Sequence, residues 1–208
     1  MANILYVKAN PKGDEMSFSA RVANAFFDAY NSQNPGDQVE TLDLYNTDLP
    51  LIDAEVLGGW GKLASGNELT DTEKAKIDRL SQLVDQFLEA DKVVFAAPMW
   101  NFGFPPLMKA YIDAIAVAGK TFKYTENGPV GLSGDKKVVL IEARGGVYSE
   151  GPAASMEHTE SYFRAVMSFL GINDVEVILA EGMAADPSAA DQIFNQSVEN
   201  AKEAARSF

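Results

Sequence analysis

Five short apolar runs alternate with helix-like amphipathic stretches along this chain, and that alternation constrains its fold more than any other feature. The runs are residues 4–9 (ILYVKA), 38–44, 91–97, 137–143 (KVVLIEA) and 175–180. Most are apolar at consecutive positions, as strands buried on both faces are. The run at 38–44 alternates imperfectly, with Val39, Leu42 and Leu44 as its apolar residues. Between the runs the period changes to that of a helix. Residues 17–30 place Val22, Ala23, Phe26, Phe27 and Tyr30 on one face. Residues 70–88 do the same with Ile77, Leu80, Leu83, Val84 and Phe87, and open on Thr70 with Glu73 three positions on, a capping-box spacing. Further helices are expected over 105–117, where Pro105 stands at the start, over 158–170 and over 187–206. Residues 50–67, centred on Gly58-Gly59-Trp60-Gly61, are expected to be irregular. The predicted architecture is a three-layer α/β sandwich. Its five-stranded parallel sheet has the doubly wound order 2-1-3-4-5. No repeat, low-complexity tract or linker interrupts the chain, so residues 1–208 are read as one domain.

In that order, ligands bind outside the carboxyl ends of strands one and three. Three loops are expected to meet there. The first carries Asn10 and then two hydroxyls, Ser17 and Ser19, at a helix start. Free N–H groups and the helix dipole suit a phosphate at such a place, although Ser17 serves equally well as an N-cap with no ligand. Asp14 and Glu15 oppose an anion unless turned outward, and Arg21 offsets them. The second loop, Pro98-Met99-Trp100-Asn101-Phe102-Gly103, sets two aromatic rings in a turn. They form either the wall of a flat ring site or a plug for the end of the sheet. The third, Arg144-Gly145-Gly146-Val147-Tyr148, lets backbone approach a ligand closely, with Arg144 as a positive charge; the alternative is a plain glycine turn. A phosphate clamp, an aromatic wall and a glycine-rich floor together suit a flavin mononucleotide.

Composition removes competing classes. A net charge of -13 argues against a nucleic-acid partner. The chain has no Cys and a single His, His158, in a polar stretch at a helix start, so no metal site is expected. His158 reads as a surface residue. G-x-S-x-G, the hydrolase elbow, is absent, as are G-x-G-x-x-G and the Walker A sequence. A phosphorelay receiver would want acidic residues where Lys8-Ala9-Asn10 and Ala97-Pro98-Met99 stand. No run reaches the length of a membrane span, and no secretory signal precedes the first strand, so a cytoplasmic enzyme is expected.

Several stretches carry a family likeness: Ser17-Phe18-Ser19, AAPMWNF over 96–102, TFKYTENGPVGL over 121–132 and RGGVYSEGP over 144–152, with FLGINDV and AEGMA further on. Through these the chain resembles the FMN-dependent NADH azoreductases, which are also NAD(P)H:quinone oxidoreductases of the flavodoxin-like fold. The resemblance covers nearly the whole length. It implies FMN as cofactor and NADH as donor, since no basic cluster awaits a 2′-phosphate. Quinones and aromatic azo compounds are the implied acceptors, reached by a ping-pong hydride relay with a role in detoxification. It implies that Ser17, Phe18, Ser19 and Asn10 hold the phosphate. Pro98, Met99, Trp100, Asn101 and Phe102 then lie against the flavin ring, and Ala143, Arg144, Gly145 and Gly146 surround its pyrimidine side. It further implies a homodimer with active sites at the interface. Tyr124, Tyr148 and Phe169 stand on the substrate face, and Tyr124, Tyr148 and Arg144 are candidates for assisting the chemistry. The chain departs from relatives at Asn10, Phe18, Trp100, Ala143 and Tyr148, positions that bear on substrate preference. The acidic balance also suits an electron-carrying flavodoxin with no small-molecule substrate, but the first loop lacks the Thr- and Gly-rich cradle of those carriers.

Overall fold

The computed structural model describes residues 1–134 and 136–208. Strands β1 (Asn3–Lys8), β2 (Gln38–Asp43), β3 (Lys92–Pro98), β6 (Lys137–Arg144) and β7 (Val175–Glu181) form one sheet in the order β2-β1-β3-β6-β7. All its pairings are parallel, so counted among themselves these strands follow 2-1-3-4-5, as expected. Side chains alternate between two cores. Leu5, Val7, Phe95 and Leu140 pack with Leu83 and Phe87 of α3 (Asp71–Glu89), Met108 and Tyr111 of α4 (Pro106–Ile115), and Phe163 and Met167 of α5 (Glu160–Phe169). Ile4, Tyr6, Val94, Ile141 and Ile178 pack with Val22, Phe26 and Tyr30 of α1 (Phe18–Gln33) and with Ala201 and Ala204 of α6 (Ala190–Ser207). Both faces are therefore dry, which is why the strands read as near-continuous apolar runs. Each fully buried side chain of this size contributes about 1.5–3 kcal/mol. Among the described residues no helix is long and apolar enough to cross a membrane.

The segment 50–67 is not irregular. It contains α2 (Ala54–Ala64), capped by Asp53, whose carboxylate accepts from the N–H groups of Glu55 and Val56. Its three glycines hid it from the sequence, because glycine is a poor helix former. Gly59 is there for packing. A Cβ at that position would lie 2.6 Å from Ile77 Cδ1, so the glycine lets α2 approach α3. A second departure is a two-stranded antiparallel hairpin, β4 (Phe122–Thr125) with β5 (Gly128–Gly131). Its strands are four residues each, and β5 reads Gly-Pro-Val-Gly, a turn-like sequence. The hairpin is fixed by the buried Phe122 and by Gly131, where a Cβ would lie 2.1 Å from Gly171 N. Helix α5 begins at Glu160, two residues after the expected His158, because the Glu157 carboxylate accepts from the N–H groups of Thr159 and Glu160, each at 2.6 Å. Helix α6 begins at Ala190, after the turn in which Asp186 accepts from the N–H groups of Ser188 and Ala189. The Thr70–Glu73 capping box is present in full.

Candidate functional site

The carboxyl ends of β1, β3, β6 and β7 open on a cavity of about 270 Å³. At the β1 end, Ser17 is the N-cap of α1 and its Oγ accepts from Ala20 N at 3.2 Å. Asn10 donates to the same Oγ at 2.8 Å, and Ser19 Oγ lies 3.2 Å from it. Asn10, Ser17 and Ser19 are all buried yet line the cavity. Of the loop's two acidic residues, Glu15 is exposed and Asp14 is paired locally. Asp14 pairs with Lys8 at 2.5 Å, and Asp43 lies 3.3 Å from the same amine. Burial disfavours the charged Lys8, but these two carboxylates outweigh it and raise its pKa. Arg21 is not at the hydroxyls; its guanidinium sits 3.9 Å from the Phe194 ring centroid and 5.6 Å from that of Phe18.

At the β3 end the chain makes a tight reversal. Trp100 N donates to Gly103 O at 2.8 Å and Gly103 N returns to Trp100 O at 3.0 Å. The two residues between, Asn101 and Phe102, have φ of 48° and 69°. Both are left-handed, as a type I′ turn requires, and Phe is poorly suited to that region. The strain is held by neighbours: Phe102 O accepts from His158 N at 3.2 Å, and its ring meets Tyr148 edge-on at 6.0 Å. Trp100 and Phe102 remain 40% and 38% exposed, so they do not plug the sheet. His158 is itself exposed, as expected of a surface residue.

At the β6 end, Arg144 turns its side chain away from solvent entirely. Its guanidinium meets Glu142 at 2.7 Å, Glu157 at 3.4 Å, Glu181 at 3.6 Å and Glu160 at 4.0 Å. Of the two roles open to the Arg144 side chain, charge toward a ligand or structural support, the geometry favours the structural one: the carboxylates of the sheet, of Glu157 and of α5 surround it, although the residue borders the cavity. Burial pushes the Glu142 carboxyl up despite the adjacent Arg144. Burial would also raise Glu157, but hydrogen bonds from the Thr159 hydroxyl and from three backbone N–H groups outweigh it and hold that carboxyl at about 2.

Of the site residues expected from sequence, the cavity gathers Asn10, Ser17, Phe18, Ser19, Pro98, Met99, Ala143, Arg144 and Gly145. Trp100, Asn101, Phe102 and Gly146 lie on the adjoining turns rather than in its lining. Lys12, Met16, Met183, Ala184 and Ala190 line it and were not anticipated. The AEGMA stretch was the available signal for Met183 and Ala184, since it follows β7 at the same edge. Tyr148 stands at this edge, but Tyr124 and Phe169 do not. They flank Phe122 of the hairpin, at centroid distances of 5.4 and 4.4 Å. Helix α5 starts beside Arg144 at the end of β6 and finishes near the start of β6, where Leu170 O accepts from Ser133 N and Asp174 O from Val138 N. The ten residues of that helix separate Phe169 from the cavity edge by about 15 Å.

A sheet of this order, with a cavity at its switch point, defines a class of ligand-binding α/β folds. Residues 2–205 match the family model described as flavodoxin-like fold, and the chain belongs to that family. It is 51% identical, over 211 aligned positions covering 100% of both chains, to the FMN-dependent NADH:quinone oxidoreductase of Bacillus velezensis. Its structure is similar to that of an azoreductase from Bacillus anthracis, with a TM-score of 0.95 and 42% identity over 100% of both chains. It is also similar to an FMN-dependent NADH-azoreductase of the same species in complex with FMN, with a TM-score of 0.94 and 34% identity over 99% of this chain and 98% of that one.

Proposed function

We propose that the chain is an FMN-dependent oxidoreductase that uses NADH to reduce quinones and to cleave aromatic azo compounds to amines. It would act as one three-layer domain in the cytoplasm. The observation that carries this reading is the cavity itself. It joins a cluster of buried hydroxyl and amide groups at a helix start to an apolar strip of Pro98, Met99, Ala143 and Met183. That pairing fits a molecule with a phosphate at one end and a flat heterocycle at the other.

In this reading Ser17, Ser19 and Asn10 bind the phosphate, aided by the α1 N-terminus. Phe18, Pro98 and Met99 bound the ring site, with backbone of 143–146 along its edge. Trp100, Asn101 and Phe102 form the outer wall, where their exposure leaves them free to meet an aromatic substrate. FMN, when bound, supplies the two-electron chemistry between NADH and the acceptor. The chain's own part is to bind, orient and exclude water. Arg144 acts by holding the floor of the site rather than by meeting charge.

The reading includes a homodimer. Tyr148 lies at the cavity edge, whereas Tyr124 and Phe169 lie about a helix length away. Tyr124 is 73% exposed at the tip of a hairpin. A second copy that brings this hairpin to the first copy's cavity completes the aromatic substrate face. Tyr124 and Tyr148 are then the hydroxyls available to move a proton.

Initial rates measured against both NADH and a quinone test the relay. Donor and acceptor that take turns on one surface give parallel lines in double-reciprocal plots. Lines that converge to the left of the axis would contradict the relay.

A further inference from the structure

Tyr148 lies in a loop without regular structure, yet its ring is closely placed. It covers Gly146, where an added Cβ would lie 3.1 Å from the Tyr148 Cε2, Cζ and Oη atoms. It also meets the Phe102 ring edge-on at 6.0 Å. Backbone bonds from Gly182 N to Gly146 O and from Ala184 N to Gly145 O hold the start of the loop, and one carboxylate from the neighbouring strand holds Tyr148 and Ser149. Glu181, the last residue of β7, accepts from Tyr148 N at 3.0 Å and from Ser149 N at 3.2 Å, both at Oε2. The Ser149 hydroxyl bonds its other oxygen. Charge-assisted bonds of this kind are about twice as strong as neutral ones.

The plainer interpretation is that Glu181 merely balances the buried Arg144, whose Nη1 lies 3.6 Å from Oε2. The distances argue otherwise. Arg144 already has Glu142 at 2.7 Å and Thr159 at 3.3 Å. The three shorter contacts of Glu181 all go to Tyr148 and Ser149. The Glu181 carboxylate is thus engaged by the loop, and Arg144, which makes no hydrogen bond to it, adds only a positive charge 3.6 Å away.

We infer that Glu181 is a positioning residue for the acceptor: it presents the Tyr148 ring beside Phe102 and so sets how tightly an aromatic acceptor binds. This rests on the reading of Tyr148 and Phe102 as part of the substrate face. Glu181 does not line the cavity, and Glu142, Glu157 and Glu160 remain to hold Arg144 without it, so its main effect is on the acceptor rather than on FMN.

The test is a double-mutant cycle between Glu181→Ala and Tyr148→Ala on the FMN-loaded protein. Glu181→Ala is expected to raise the acceptor KM about tenfold, with kcat and the FMN dissociation constant changed by less than about threefold. In the Tyr148→Ala background it is expected to add almost nothing. Glu181→Gln, whose amide oxygen still accepts from Tyr148 N, restores most of the acceptor affinity. Glu181→Asp, one methylene shorter, is measured alongside and gives the same KM effect at smaller size, should the Ala variant fail to fold. The inference is overturned if Glu181→Ala leaves the acceptor KM unchanged, or raises it equally with and without Tyr148. An unaltered protein that binds no FMN, or whose FMN is not reduced by NADH, overturns the reading of the site and this inference with it.

Discussion

Asn10 and Ser17 are joined by a buried hydrogen bond, the Asn10 amide donating to Ser17 Oγ at 2.8 Å. One hydroxyl oxygen thereby takes the Asn10 proton and the Ala20 N–H together, while Ser19 Oγ stands 3.2 Å away. The same atoms that cap α1 are the ones offered to a phosphate. Ser17→Ala is expected to cost about 0.5–2 kcal/mol of stability through the lost cap. It is also expected to weaken FMN far more than riboflavin, which has no phosphate. Fluorescence titration with the two flavins measures the ratio, and an equal loss for both would show that Ser17 only caps the helix.

The Glu142–Arg144 pair has no solvent exposure on either side chain. Removing one partner strands a buried charge. Arg144→Met is expected to lower stability by about 3–5 kcal/mol, whereas replacing Glu142 and Arg144 together by apolar residues of similar volume recovers part of that loss, since Glu157, Glu160 and Glu181 keep some exposure to water. Urea unfolding of the single and double variants gives the comparison. A double variant no more stable than Arg144→Met would contradict the pairing argument.

Acid titration separates two neighbouring carboxyls. Glu157 is depressed to about 2 in the folded chain from an ordinary value near 4.5. Its contribution is therefore complete above pH 4.5 and lost as pH falls from there towards 2. Glu142 is shifted the other way by burial, so its contribution is lost as pH rises above its ordinary value. Unfolding free energies measured from pH 7 to pH 3 are expected to fall less steeply for Glu157→Gln than for the unaltered protein. Parallel curves would remove Glu157 from the account of acid stability.

The turn at Asn101-Phe102 stores strain at the site's outer wall. With φ at 69°, residue 102 sits where glycine is comfortable and alanine is not. Phe102→Gly is expected to be more stable than Phe102→Ala by about 1 kcal/mol, in thermal unfolding, although both lose the ring that meets Tyr148. Equal stability would mean the left-handed turn is not kept in the variants.

The sheet was legible because burial on both faces leaves continuous apolar runs, as at Val93-Val94-Phe95 and Val138-Val139-Leu140. The loop residues of the cavity were legible for a different reason: Ser17, Ser19, Pro98 and Met99 follow strands whose order fixes where their ends meet. What was not legible was short or rich in glycine. Helix α2 is broken in appearance by Gly58, Gly59 and Gly61, of which Gly59 is needed for the close approach to α3. The β4–β5 hairpin rests on one buried Phe and a glycine–glycine approach. The inward turn of Arg144 rests on Glu142, two residues back, together with Glu157 and Glu181, which are distant in sequence and brought to it by the start of α5 and the end of β7.

The central claim is that this cavity holds FMN and exposes it to NADH. The most direct measurement is the visible spectrum of the purified protein, with the chromophore released and identified, followed by anaerobic addition of NADH and then a quinone in the same cuvette. The account predicts about one FMN per chain, rapid bleaching by NADH alone and recovery of colour on adding the quinone. A bound flavin that NADH cannot bleach would instead describe an electron carrier, and a protein that takes up no FMN would contradict the account of the site altogether.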